Sequence, residues 1–171
     1  MEALLVNRCV FSKENLLEMT KAIRKSSSIA LIVCSIILLV VSMLNFVVKG
    51  NVSTGIVMLV LAVFFGVFDL WLPGYTAKSM YKRYQMIYHK EISSELQFFD
   101  DSILSLGEQA KAESRMSYAK VTRVISTKCL YVIRLNAQLV LLVDKNGFEK
   151  GDCAEFETLI KPKATNAKIN F

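Results

Sequence analysis

Residues 29–48 carry no charged side chain over 20 positions. At 1.5 Å per residue a helix of that length spans about 30 Å, the thickness of a bilayer's hydrocarbon core. A second run, 55–72, is 18 residues long with Asp69 its only charge, and the six residues KGNVST separate the two. The pair reads as an antiparallel transmembrane hairpin. The first run exceeds the apolar core of a secretory signal and lacks a small-residue cleavage site at its end, so it is expected to be retained as a span. Composition agrees: 53% of the 171 residues are hydrophobic, too many for an ordinary soluble domain of this length.

Basic residues set the expected orientation. Arg8, Lys13, Lys21, Arg24 and Lys25 precede the first span, Lys78, Lys82, Arg83 and Lys90 follow the second, and the connecting loop has only Lys49. A multi-pass protein of the inner (cell) membrane with both termini cytoplasmic follows. Trp71 and Tyr75 fit an interfacial aromatic belt on that side. Cys9, Cys34, Cys129 and Cys153 are widely scattered without a C-x-x-C pair, so neither a zinc site nor a redox motif is expected, and reduced thiols are the default.

Asp69 is the expensive residue, because a charge at membrane depth is costly. Gly55, Ala62, Gly66, Asp69 and Pro73 fall on one face of the second helix, and Ser28, Ser35 and Ser42, with Asn45, make a matching stripe on the first. Folding the hairpin about residues 51 and 52 sets Asp69 beside Ser35 and Ala62 level with Ser42. Pro73 cannot bond the carbonyl of Asp69, so a kink should leave a carbonyl and a carboxyl together, satisfied by water or the Ser35 hydroxyl. The intramembrane polar spot is therefore Asp69, Ser35 and Pro73. One reading makes Asp69 a proton or cation site. The plainer one, favoured here, makes it a hydrated kink that fixes register, with Asp69→Asn leaving assembly and function nearly intact.

Residues 75–91 contain no proline and should carry the second helix out of the bilayer. Tyr81, Tyr84 and Tyr88 share one face, and Lys78, Lys82 and Arg83 supply positive charge, so these six are candidate membrane-surface contacts with anionic headgroups. Equally, the tyrosines can pack on the following domain. His89, the lone histidine, has no ligand cluster around it in sequence.

Beyond residue 92 the pattern turns to short alternating runs rich in β-branched and aromatic residues: ELQFF, SILSL, YAKVTRVIS, CLYVIRL and QLVLLV. Asn136-Ala137 marks a hairpin turn. In GDCAEFETLIKPK, Asp152 and Glu155 form a capping box, Phe156, Leu159 and Ile160 an apolar face, and Pro162 a stop. One antiparallel sheet of about six strands with one helix makes an α+β domain. The expected organisation is an N-terminal cytosolic segment 1–27 (a strand through LLVNRCVF and a helix capped by Ser12), spans 28–48 and 54–74, a basic juxtamembrane helix 75–91, the α+β domain 92–163 and a loose tail 164–171.

The phrases YAKVTRVISTKCLYVIRL and LVLLVDKNGFEKGDCAEFETLIKPK resemble the YcxB-like C-terminal domain of small bacterial two-span membrane proteins, over roughly 93–163. Tyr118 stands at the family's aromatic position. Where the family has Pro-Lys before a Phe, this chain has Asp144-Lys145 and then Phe148. The resemblance implies a pleckstrin-homology-like (PH-like) module after the hairpin and supplies no catalytic residue.

DKNG at 144–147 places its glycine too early for a calcium loop, and SSS at 26–28 has no phosphate cradle. No nucleophile–base pair or carboxylate pair is legible. The chain is read as a non-enzyme without catalytic residues, cofactor, metal or nucleic-acid partner. The leading expectation is a membrane-anchored binding protein whose partners are the lipid bilayer and a lipid, peptide or protein ligand. The alternative is a transport or channel accessory, including a bacteriocin-immunity-like membrane protein, in which the hairpin is the working part.

Overall fold

The computed structural model describes residues 2–48, 51–88, 92–107, 112–136 and 139–171. His89, Lys90 and Lys49 lie outside them, as does Ala137 of the expected turn. Asn136 has φ 49°, the left-handed region that asparagine tolerates.

Strand β1 (Leu5–Val10) leads into helix α1 (Lys13–Val47), and Ser12 caps the helix by accepting from the Asn15 amide at 3.1 Å. Helix α2 (Val52–Tyr88) begins after Asn51, whose side-chain oxygen accepts from the Ser53 amide at 3.2 Å. Each helix is continuous. α2 runs on through residue 75 as expected, and α1 runs without a break from the N-terminal segment through residue 28, where serine is tolerated within a helix. Pro73 lies inside α2 without ending it, and the Thr76 hydroxyl donates to the nearby Leu72 carbonyl at 2.9 Å.

The remaining described elements are β2 (Ser93–Phe98), β3 (Ser102–Gly107), β4 (Ala112–Ser117), β5 (Val121–Ser126), β6 (Leu130–Leu135), β7 (Leu139–Asp144), β8 (Phe148–Lys150), helix α3 (Cys153–Lys163) and β9 (Lys168–Asn170). They form two sheets, in the orders β4-β3-β2-β1-β8 and β7-β6-β5-β9. The single sheet expected from the sequence is thus corrected to two. β1 pairs antiparallel with β2 (Cys9 opposite Ser94), and the supposed loose tail contributes β9, parallel to β5 with Ile169 opposite Val124. Tyr118 sits in a 3-10 turn ahead of β5 rather than in a strand, with Ser117 capping it.

Two cores result. Between the sheets lie Leu5, Leu96, Phe98, Ile103, Val121, Val124, Tyr131, Ile133 and Val143, closed by Phe156 and Ile160 of α3. On the other face of the second sheet, Leu130, Val132 and Leu142 meet Leu16, Met19 and Ala22 of α1 and Ala77 of α2. The alternation of β6 explains this division, since successive side chains point to opposite faces and both faces are covered. β1 serves both cores, with Leu5 in the first and Cys9 in the second. Burial, with Asp144 nearby, pushes the Cys9 thiol up to about 12.

Candidate functional site

The two helices cross with small residues inward. Ser42 donates to the Gly55 carbonyl at 2.7 Å, and a side chain at Gly55 would meet the Phe46 ring at 3.1 Å, so a larger residue would require the ring to shift. Two heptads further along, Ser28 donates to Asp69 Oδ2. Pairing 42 with 55 and 28 with 69 places Ser35 level with Ala62, and all six residues lie on the closed face of the hairpin. The expected stripes therefore do face each other, but one heptad out of the expected register. The physical reason is hydrogen bonding: with α1 ending at Val47 and α2 starting at Val52, this alignment brings the Ser42 hydroxyl to the Gly55 carbonyl and the Ser28 hydroxyl to the Asp69 carboxylate.

That shift changes the surroundings of Asp69. Its carboxylate is 5% exposed and lies 3.9 Å from a terminal nitrogen of Arg24, which precedes Ser28 by one turn of α1. The sequence reading missed Arg24 because the assumed register placed it beyond reach. The i, i+4 spacing of Arg24 and Ser28 was the available signal. Three buried polar atoms here have no hydrogen-bond partner in the structure: Arg24 Nε, Asp69 Oδ1 and Ser35 Oγ. The Arg24–Asp69 attraction is thus coulombic at its present distance, and among the described residues Ser28 makes the one direct hydrogen bond to the carboxylate. Ser35 and Pro73 are not brought onto the carboxyl. Pro73 instead lines a cleft of about 400 Å³ with Lys21, Arg24, Lys25, Ser28 and Ile29. Gly66 has nothing within 4 Å of where a side chain would begin, so it is not part of the tight seam.

Below the junction the connector has two faces. Tyr81 and Tyr84 are half-buried against the second core, Lys13 lies 5.1 Å from the Tyr81 ring centre, and Phe11 meets Tyr84 edge-to-face at 5.9 Å. Lys78, Lys82 and Arg83 are exposed. Packing on the domain therefore accounts for Tyr81 and Tyr84, leaving the three cations on the outside. Tyr88 ends the helix, and its side chain is outside the described set. Trp71 stacks on Tyr75 at 4.7 Å, both exposed, just above this basic zone.

Glu18 locks the helices to the sheet. Its carboxylate accepts from the Cys129 amide at 2.7 Å. Burial pushes its pKa up, but bonds from the Thr127 hydroxyl and the Cys129 and Leu130 amides, with Lys145 nearby, outweigh this and hold it below the usual carboxylate range. Among the described residues no three His, Cys, Asp or Glu side chains gather as a metal set. The arrangement offers a buried, partly compensated charge pair at the mouth of a hairpin and an exposed basic collar around it. Comparison of the chain with protein-family models, with curated proteins and with solved structures returned no match.

Proposed function

We propose that the chain is a membrane-anchored binding protein of a bacterial inner membrane, in which the hairpin holds a cytosolic PH-like module at the bilayer surface to engage a lipid, peptide or protein partner. One observation carries this reading. The helices whose upper halves are outwardly apolar, with the buried Asp69 their one charge, continue without a break into lower halves that are packed on the sheet.

Both helices are long and apolar enough to cross a membrane. Side chains such as Val40, Val60 and Leu70 are exposed, Leu70 by 84%, and exposed apolar surface on this scale calls for a covering solvent or partner. Trp71, Tyr75 and then the exposed cations Lys78, Lys82 and Arg83 follow in the order expected on passing from hydrocarbon to anionic headgroups. The Glu18 lock and the shared core pack the lower halves of the helices on the second sheet, which suits presentation of a surface. The transport reading has less support, since pairing with Arg24 and Ser28 gives Asp69 a structural role.

Two measurements test this. Cys153 is expected to react with a membrane-impermeant maleimide only after cells are opened; reaction in intact cells would reverse the topology. Proteoliposomes carrying the full chain are expected to hold an ion gradient as well as empty liposomes. A leak abolished by Asp69→Asn would replace the binding reading with the transport one.

A further inference from the structure

Lys21, Lys25 and Ile29 follow one another at four-residue spacing on α1 and so form one ridge, climbing about 12 Å along the helix. All three are exposed. With Pro73 of α2 and Thr127 of the turn between β5 and β6 they line the cleft of about 400 Å³. Its lower end is tied to the second sheet where Glu18 accepts from the Cys129 amide, and its upper end reaches Ile29, the first residue of the charge-free run.

Helix pairing gives the height of this ridge. The alignment that sets Ser42 on Gly55 and Ser28 on Asp69 puts Trp71 level with Ser26 and Tyr75 level with Ala22. Lys21 and Lys25 therefore stand at the height of the exposed, stacked Trp71 and Tyr75, the position at which aromatic belts meet headgroups. Charge in the cleft is uneven. Glu18 is engaged by the sheet, and Arg24 and Ser28 by Asp69. Among the described residues Lys21 and Lys25 have no ion pair or hydrogen bond, and like charges four apart on a helix repel. Ala22, Ile29 and Pro73 make the remaining wall apolar.

An occupant that suits both ends is anionic below and apolar above. A free phosphate meets only the first condition, and a phospholipid meets both. We infer that Lys21 and Lys25 hold the phosphate of an anionic phospholipid whose glycerol and upper acyl chain lie beside Ile29 and Pro73. Lysine supplies a mobile point charge to a phosphate, while its stem lies along apolar surface. The inference rests on the membrane reading above and names one lipid site for it. That site is on α1, separate from the Lys78, Lys82 and Arg83 collar on α2, so the two can be tested apart.

The test mixes the full chain in detergent micelles with equal amounts of phosphatidylglycerol and phosphatidylcholine and counts retained lipid by native mass spectrometry. The chain is expected to retain phosphatidylglycerol several-fold over phosphatidylcholine. Lys21→Gln/Lys25→Gln should erase that preference, whereas the charge-keeping Lys21→Arg/Lys25→Arg and the collar variant Lys78→Gln/Lys82→Gln should keep it. No preference in the native chain, or a preference that survives Lys21→Gln/Lys25→Gln, would overturn the site. Equal loss in Lys78→Gln/Lys82→Gln would do so too, by reducing the effect to general charge attraction. Displacement of the lipid by inorganic phosphate at equal concentration would make the cleft a site for free anions and likewise overturn it. A native chain that stays dispersed in buffer without detergent would refute the membrane reading, and this site with it.

Discussion

The guanidinium of Arg24 and the carboxylate of Asp69 lie 3.9 Å apart across two antiparallel helices, with the Ser28 hydroxyl bonded to the other carboxylate oxygen. A buried pair resists loss of one partner far more than loss of both, because the survivor is left as an uncompensated charge. Arg24→Leu is therefore expected to destabilise the chain by about 2 kcal/mol, discounted from the fully buried case because Arg24 is partly exposed. Asp69→Asn keeps an acceptor for Ser28 and should cost under about 1 kcal/mol. Arg24→Leu/Asp69→Asn, which removes both charges, should recover most of the Arg24→Leu loss. Unfolding in mixed micelles, arranged as a double-mutant cycle, measures the coupling; strictly additive losses would show that the two groups do not interact.

Asn7 joins the sheets. Fully buried, it donates from Nδ2 to the Asp144 carbonyl at 2.7 Å and accepts from the Asp144 amide at 2.9 Å, copying a strand pairing with a side chain. Asn7→Leu takes the side-chain acceptor from the Asp144 amide and leaves its carbonyl with the Gly147 amide at 3.0 Å, and should cost about 1–3 kcal/mol. Loss of near-ultraviolet signal at lower denaturant checks it, and an unchanged midpoint would contradict it.

The depressed pKa of Glu18 makes the lock between helix and sheet pH-dependent. A carboxylate with a lowered folded-state pKa stabilises above its unfolded value, roughly 4.3, and that contribution fades as pH falls through the folded value. Amide exchange at Cys129 should accelerate on acidification below that point in the native chain. In Glu18→Gln it should be fast already at neutral pH and show no such acid-linked step.

Deleting 168–171 tests whether the last strand belongs to the fold. Ile169 packs on the core between the sheets, and the Phe171 ring meets Tyr131 at 5.8 Å. Truncation should lower stability by about 1–3 kcal/mol through lost apolar burial. Exposing the β5 edge should also raise the tendency to self-associate, visible by light scattering.

The chain's local signals were legible wherever one physical rule dominated. Uninterrupted apolar runs specified two long helices, Ser12 and Asp152 specified caps through side-chain acceptors, and alternation in CLYVIRL specified a strand. β4, with the polar sequence AESRMS, and the three-residue strands β8 and β9 had too little apolar alternation to be seen. Their pairing is imposed by neighbours. Sequence alone also fixed which faces of α1 and α2 are small and polar, since helical periodicity does so without any partner. It could not fix the register, because both stripes repeat every seven residues and a slide by one heptad preserves their match. Only the approach of Gly55 to Ser42 and Phe46 and the meeting of Ser28 with Asp69 selected one alignment, and with it made Arg24 the neighbour of the buried carboxylate. The alignment of Arg123 with Arg134 and Lys168 was likewise decided by strand pairing between distant segments, which no local pattern encodes.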